Sequence, residues 1–327
     1  MKKIILIFSA LALFCACNKD LERKLDADVK VSTLKVQAGT PVRFDFSGDP
    51  DFIVFYSGEQ GHRYDRKDMT ELPADQLSAK LCCTFFTQYG KTAENTFHVY
   101  VTTEFPGLSK DYDVDKTLIN TTKWTDITES CNLPKTANDE TYGEKGASSV
   151  EIPLEQYLNA PYLNFAFLYK IEDDNVRPRW EVRNLVVRSE DKSSGTVSEL
   201  PAAEIGFSAF HETENGNDVY NTVTNNTPGR WNLRQINDPT NYCRLAIHPS
   251  PVGQDTPLHR SWLISGPVNP RRYVPDTGLS VKTITSYVPY YEYVYSEPGT
   301  YTATFVITNA NYSHSEEIVK TFTIEVE

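Results

Sequence analysis

The sequence predicts an all-β protein, on three observations. Short runs of alternating aromatic and β-branched residues recur between turn signals, among them VRFDFS, FIVFYS, LCCTFFTQY, FHVYVTT, YLNFAFLYKI, WEVRNLVVRS and YTATFVIT. No apolar pattern of helical period persists beyond about two turns. Nineteen tyrosines, 16 phenylalanines and 19 prolines against two methionines suit pleated, turn-rich structure. A chain of 327 residues holds two ordinary domains, or one domain with another inserted into it.

The first element is not part of the fold. Lys2 and Lys3 precede an apolar run from Ile4 to Phe14, broken only by Ser9. It is too short to span a hydrocarbon core of about 30 Å and reads as a secretory signal. Cys17, with small Ala16 before it and Phe14 three residues back, suits a lipoprotein signal cut ahead of an acylated cysteine. Residues 1–16 then leave with Cys15, which follows bulky Phe14 and fits the cut poorly, and Cys17 heads the mature chain. Several acyl chains on one residue anchor a protein stably without a membrane-spanning helix. The charged stretch that follows, NKDLERKLDADVK, lacks apolar periodicity and makes residues 17–28 a tether. The expected location is the outer membrane, lipid-anchored and facing outward. A net charge of −12 leaves little for a phosphate backbone, so nucleic acid is not an expected partner.

Four cysteines remain: Cys82, Cys83, Cys131 and Cys243. Adjacent Cys82 and Cys83 point to opposite faces of a strand. A periplasmic disulfide and buried free thiols are both compatible with the spacing, and no metal-type cysteine spacing occurs.

Two distant segments look like halves of one module. Residues 29–59, VKVSTLKVQAGTPVRFDFSGDPDFIVFYSGE, resemble the opening strands of a PKD-type immunoglobulin-like domain. Residues 291–326 resemble its closing strands, with EPGTYTATFVITNA matching the family's turn, tyrosine strand and asparagine turn. The resemblance implies a domain split into residues 29–74 and 276–327, with residues 75–275 inserted. Within the insert, KWTDITESCNLP and the run from SSVEIPLEQYLNAPYLNFAFLYKI to WEVRNLVVRS resemble the jelly-roll β-sandwiches of secreted Bacteroidetes proteins, with CRLAIH and SWLISGPV as closing strands. Lipoprotein start, split ends and jelly-roll middle together resemble a family of Bacteroidales surface lipoproteins with no assigned function. In setting they are similar to the surface glycan-binding lipoproteins of starch-utilisation-type systems.

No catalytic constellation stands out, so an enzyme is not expected. The six histidines are scattered, without H-E-x-x-H spacing, and there is no G-x-S-x-G elbow. A hydrolase with dispersed carboxylates is the least favoured alternative. Asp111, Asp113 and Asp115 in KDYDVDK would share one side of an extended segment, where a structural calcium could use them. Lys116 stands where an EF-hand has glycine and Thr122 where it has glutamate, and a solvated acidic turn is the simpler reading. Glu172 to Asp174 read as a hairpin tip.

Binding of polysaccharide or oligosaccharide calls for exposed rings flanked by hydrogen-bonding side chains. Trp124, Trp180 and Trp262 sit in strand-like contexts and read as core. Trp231 lies in the polar, turn-rich stretch NNTPGRWNLRQINDPTNY, with Arg230, Asn232, Arg234 and Tyr242 around it. This is the candidate sugar platform, although a ring covering the sandwich edge fits equally. Alternation puts Tyr291, Tyr293 and Tyr295 on one side of a strand and Tyr290 on the other, as core or as a domain junction; Tyr287 and the loop FYSGEQGHRYDRKD lie nearby. The expected function is non-catalytic capture of polysaccharide at the cell surface. The alternative is an interaction or assembly lipoprotein, docked to other outer-membrane uptake components.

Overall fold

The computed structural model describes residues 24–89, 92–136, 146–171, 178–212, 219–249, 259–310 and 314–327. Cys15, the expected lipidation site Cys17 and the Glu172 to Asp174 tip lie outside them. Among the described residues no helix is long and apolar enough to cross a membrane. The protein is all-β and divides into two compact units, one of Met1–Met69 with Pro275–Glu327, the other of Thr70–Val274.

The chain first runs through β1 (Ala27–Val31), β2 (Lys35–Val36), β3 (Pro41–Gly48) and β4 (Phe52–Tyr56). The second unit follows with β5 (Leu77–Gln88), β6 (Phe97–Thr102), helix α1 (Tyr112–Thr121), β7 (Thr125–Asp126), β8 (Ala147–Pro153), β9 (Asn164–Ile171), β10 (Arg179–Asp191), β11 (Val197–Pro201), the single-turn helix α2 (Ala202–Ile205), β12 (Phe207–Glu212), β13 (Trp231–Asn232), β14 (Leu245–Ile247) and β15 (His259–Ser265). The chain then returns to the first unit as β16 (Leu279–Lys282), β17 (Tyr290–Val294), β18 (Gly299–Ala310) and β19 (Ser315–Val326).

In the unit built from both chain ends, a three-stranded sheet, β1-β3-β17, faces a five-stranded one, β16-β4-β18-β19-β2. Phe44, Phe55 and Phe305 meet between them with ring centroids 4.7 to 5.7 Å apart. Tyr291, Tyr293 and Tyr295 point into this core from β17 and its end. The Tyr295 hydroxyl, fully buried, donates to the Ser57 carbonyl at 2.9 Å, and that of Tyr293 donates to the Glu59 carboxylate. Tyr290, on the other side of the strand, lies under the Arg43 guanidinium at 4.0 Å. This tyrosine cluster therefore packs its own sandwich. The Ser57 to His62 turn needs glycine at Gly58: φ is +85°, and a Cβ there would lie 2.6 Å from the Thr302 nitrogen.

The Thr70–Val274 unit is a second sandwich. One sheet has the order β13-β14-β10-β5-β8, with β11 also on β10, and the other has the order β12-β15-β9-β6-β7. Inward residues of both sheets, such as Phe85, Phe97, Phe165, Phe167, Trp180 and Val182, form one core by strict alternation. The outward face of the second sheet is covered as well. Leu168, Phe210 and Trp262 on it pack with Ile119, Tyr112 and Leu118 of α1 and with Phe105 and Trp124 of the flanking loops.

Helix α1 departs from the sequence reading, which made KDYDVDK extended. Asp111 caps the helix by accepting from the Val114 nitrogen at 3.1 Å. Tyr112, Asp115 and Ile119 recur at helical spacing on the covered side. The calcium reading of Asp111, Asp113 and Asp115 is corrected accordingly. The Asp115 carboxylate is buried and accepts from the Ser109 nitrogen and hydroxyl (2.7 and 2.8 Å), the Lys110 nitrogen (2.9 Å) and the Tyr220 hydroxyl (2.7 Å). Burial pushes its pKa up, but these bonds outweigh it and hold the group below the ordinary value. With its oxygens used to close the loop onto the helix, the trio has no shared cation face.

All four described cysteines are free thiols. Cys83 and Cys131 are buried in the sandwich core, and Cys82 points outward.

Candidate functional site

Among the described residues no helix longer than one turn covers the outward face of the first sheet. Its character follows from the pleat: β5 sends Leu81, Cys83 and Phe85 inward and Lys80, Cys82, Thr84 and Phe86 outward. β8 places Glu151 beside Cys82 and Ser149 beside Thr84. β10 adds Glu181 beside Phe86 and Arg183 beside Thr84. Between Arg183 and Val186 the register slips, a bulge with Asn184 at φ +49°.

The bulge is what anchors the neighbouring loop. The Asn184 nitrogen, turned out of the ladder, donates to the Tyr242 carbonyl at 2.8 Å. Asp238 holds the loop's own turn, its carboxylate accepting from the Thr240 nitrogen (3.0 Å), the Thr240 hydroxyl (2.6 Å) and the Asn241 amide (2.8 Å). Tyr242 and Cys243 follow with φ of +61° and +44°. The turn brings the half-exposed Tyr242 ring over Arg183, whose guanidinium lies 4.3 Å from it and 3.6 Å from the Phe86 ring.

Beneath Tyr242 is a charge cluster. Glu181, 1 % exposed, is shared by three guanidinium groups: Arg183 donates to it at 2.7 Å, Arg244 lies 3.1 Å away, and Arg179 pairs with the same oxygen as Arg244. Burial lowers the Arg179 pKa, with Glu181 opposing. Burial, and next the positive charge of Arg179, push the buried His248 down to about 4, so it is neutral at physiological pH.

Next to the cluster the face opens into a groove of about 740 Å³. Its floor and walls include Cys82, Thr84, Ser149, Asn184, Asn237 and Cys243. Ion pairs border it: Arg188 with Glu199 and Glu151 with Lys80, each at 2.8 Å. The Lys80 hydrogen bond holds Glu151 below its ordinary pKa, that is, ionised. Short hydroxyl and amide side chains beside an exposed ring can bond and stack on a polyhydroxylated chain. Among the described residues no group of three or more histidine, cysteine, aspartate or glutamate side chains could hold a metal ion.

The sequence-derived platform is corrected here. Trp231 is fully buried and offers no face to a sugar. In β13, paired with β14, alternation turns Trp231 inward, edge-on to Phe97 at 6.2 Å with its indole nitrogen 3.4 Å from the Ser261 carbonyl. Asn232 is used in its own turn, donating to the Asn225 carbonyl and accepting from the Arg234 nitrogen, both at 3.0 Å. Arg230 is half-buried and Arg234 exposed. Of the five residues only Tyr242 takes part in the arrangement just described. The arginine cluster was missed, although WEVRN carries a signal: with Trp180 inward, a strand must turn Glu181 and Arg183 outward together.

The fold and this face define a class, a two-sandwich β protein with an open groove of mixed polar and apolar lining on one sheet. The chain matches the DUF5017 family, a domain of unknown function, over residues 16–206, and it belongs to that family. A comparison with curated proteins found no match.

Proposed function

We propose that this chain is a non-catalytic, lipid-anchored protein of the outer cell surface that captures polysaccharide in the groove beside Tyr242. The observation that carries the reading is the groove itself. A groove of about 740 Å³ on that sheet face is lined by Thr84, Ser149, Asn184 and Asn237 together with apolar residues such as Leu185, Val186 and Ile236, and the half-exposed ring of Tyr242 stands next in the chain to its lining residue Cys243. The acylated Cys17 read from the sequence would hold the protein at the membrane surface, and many tethered copies would raise the effective concentration of weak contacts. Because arginines stand beside the groove, uronate-bearing or sulfated chains join neutral ones in the test.

The groove contains its own reporter. Cys82 and Cys243 line it and are partly exposed, whereas Cys83 and Cys131 are buried. A bound polysaccharide should retard the protein in an affinity gel and slow modification of those two thiols by a disulfide reagent. Tyr242→Ala should weaken both effects about tenfold, the scale of one ring contact, without release of reducing ends. If neutral and acidic polymers alike leave mobility and thiol kinetics unchanged, the capture reading fails.

A further inference from the structure

We infer that the guanidinium groups of Arg244 and Arg179 form a binding site for a single oxyanion, the carboxylate or sulfate group of an acidic saccharide. The oxyanion site stands on the charge cluster alone, whereas its assignment to a saccharide rests on the capture reading and deepens it.

The cluster is out of balance. The three guanidinium groups of Arg179, Arg183 and Arg244 meet the one carboxylate of Glu181, which leaves two positive charges over. His248 beside them is neutral and offsets nothing. Other arginines of this acidic chain are matched one to one, among them Arg43 with Asp45, Arg188 with Glu199 and Arg260 with Glu212. Stability does not account for the excess, because partly buried charges set against like charges cost more than apolar side chains of the same volume. Burial first, and then the neighbouring charges of Arg244 and Arg183, hold the Arg179 pKa down against the pull of Glu181. One more negative charge would relieve all three groups.

Arg244 is the member that an anion can reach. Arg183 lies 3.6 Å from the Phe86 ring and 4.3 Å from that of Tyr242, and only 7 % of its side chain is exposed, so it contributes charge and little surface. Arg179 and Arg244 keep 13 % and 24 % of their side chains in water and approach the same Glu181 oxygen, which sets their guanidinium groups side by side. Arg244 offers only its Nη1 to Glu181, and among the described residues its Nε and Nη2 are neither bonded nor buried. Those two nitrogens form the fork that matches a carboxylate or sulfate edge, so an anion could dock without displacing Glu181.

The rings nearby narrow the ligand further. Tyr242 stands over Arg183, and Tyr89, 56 % exposed, follows Gln88, the register partner of Arg179. A free inorganic anion would use the arginines alone. A charged sugar uses both, with its acid group on Arg244 and a C–H face on a ring.

The test is titration of the full chain with galacturonate, glucuronate, a monosulfated galactose and galactose, followed by calorimetry and saturation-transfer NMR at constant ionic strength. At least one acid should bind saturably in the millimolar range and about tenfold more tightly than galactose, and inorganic sulfate should compete with it. Whether the uronates or the sulfated sugar bind distinguishes the two acid groups. Arg244→Gln should weaken that binding about tenfold, the scale of one charge-assisted hydrogen bond. Arg244→Lys keeps the charge but loses the fork and should recover only part of the affinity. Arg234→Gln, at an exposed arginine outside the cluster, should change nothing. The inference is overturned if every acid binds no better than galactose, or if Arg244→Gln binds them like the parent. An acid bound without retention of any polymer would leave this site standing and remove the capture reading, and retention of a polymer with no acid bound would do the reverse.

Discussion

The two sheets of the Thr70–Val274 sandwich present outward faces of opposite character. On β9, β12 and β15 the outward positions include Leu168, Phe210 and Trp262, and a ten-residue helix with its flanking loops and the Val219–Tyr220 segment covers them. On β5, β8 and β10 the outward positions include Cys82, Thr84, Phe86, Ser149, Glu181 and Arg183, and among the described residues a loop pinned at a bulge crosses only part of them. Both sheets supply the inner core, so it is the outer faces that distinguish them. The difference lies in what each outer face costs when left in water. Apolar area exposed there loses about 25 cal/mol per Å², which favours a cover, whereas a face of hydroxyls, amides and ion pairs stays soluble uncovered.

Substitutions on the two faces sharpen that contrast. The largest effect is expected at Glu181→Ala, which leaves Arg179, Arg183 and Arg244 facing one another with their common carboxylate gone. Chemical denaturation should show a loss of about 3–5 kcal/mol; an unshifted midpoint would mean that solvent screens the cluster and that the floor of the open face is softer than its burial implies.

Trp262→Ala tests the covered face. The indole stacks 5.8 Å from Trp124 and lies tilted 5.5 Å from Tyr100, and its deletion should cost about 3 kcal/mol, the lower end for such a residue, because half-buried Trp124 can move into the space. Polysaccharide retention should survive unchanged. Loss of retention at constant fold would tie the two faces together and break the contrast.

A smaller effect is expected from pH. His248 titrates near 6.5 when unfolded and near 4 in the native protein, so below pH 6.5 the unfolded chain takes up a proton that the native one refuses. Stability should therefore fall by about 2 kcal/mol between pH 7 and pH 4 and level off below. Thermal melts across that range should show the slope, and His248→Gln should flatten it; an equally steep slope in the variant would assign the loss to other groups.

The smallest change is expected at the groove border. Arg188→Ala removes a pair with Glu199 in which both side chains are some 40–50 % exposed. It should cost less than about 0.5 kcal/mol and vanish in molar salt. A larger stability change would make this rim structural, whereas a change confined to polysaccharide affinity would place it in the binding surface.

Which of these features can be read without the structure depends on how far each signal travels along the chain. The strands were legible because alternation is local: LCCTFFTQ and YTATFVITNA each carry their own inside and outside. Helix α1 was not, because KDYDVDKTLINT mixes poor helix formers, and its Asp111 cap and Tyr112 to Ile119 face make sense only against Phe210 and Trp262. Trp231 shows the limit most directly. Its polar neighbours made it look exposed, yet one pairing of Trp231 with Ile247 turns the ring into the core, and a shift of one residue would have turned it out.

The sequence by itself determined the all-β class, the side to which Trp180 points, and the placing of Tyr291 and Tyr293 together on one side of β17, since each follows from a period of two within one strand, whereas Trp262 is buried because α1 and its flanking loops cover its outward face. Only the tertiary structure decided that Glu181 gathers Arg179, Arg183 and Arg244, and that Asn184 catches Tyr242 across 58 residues of chain. Those are facts about which strands lie side by side, and neighbours in a sheet are chosen by the packing of the whole core and not by any stretch of residues read alone.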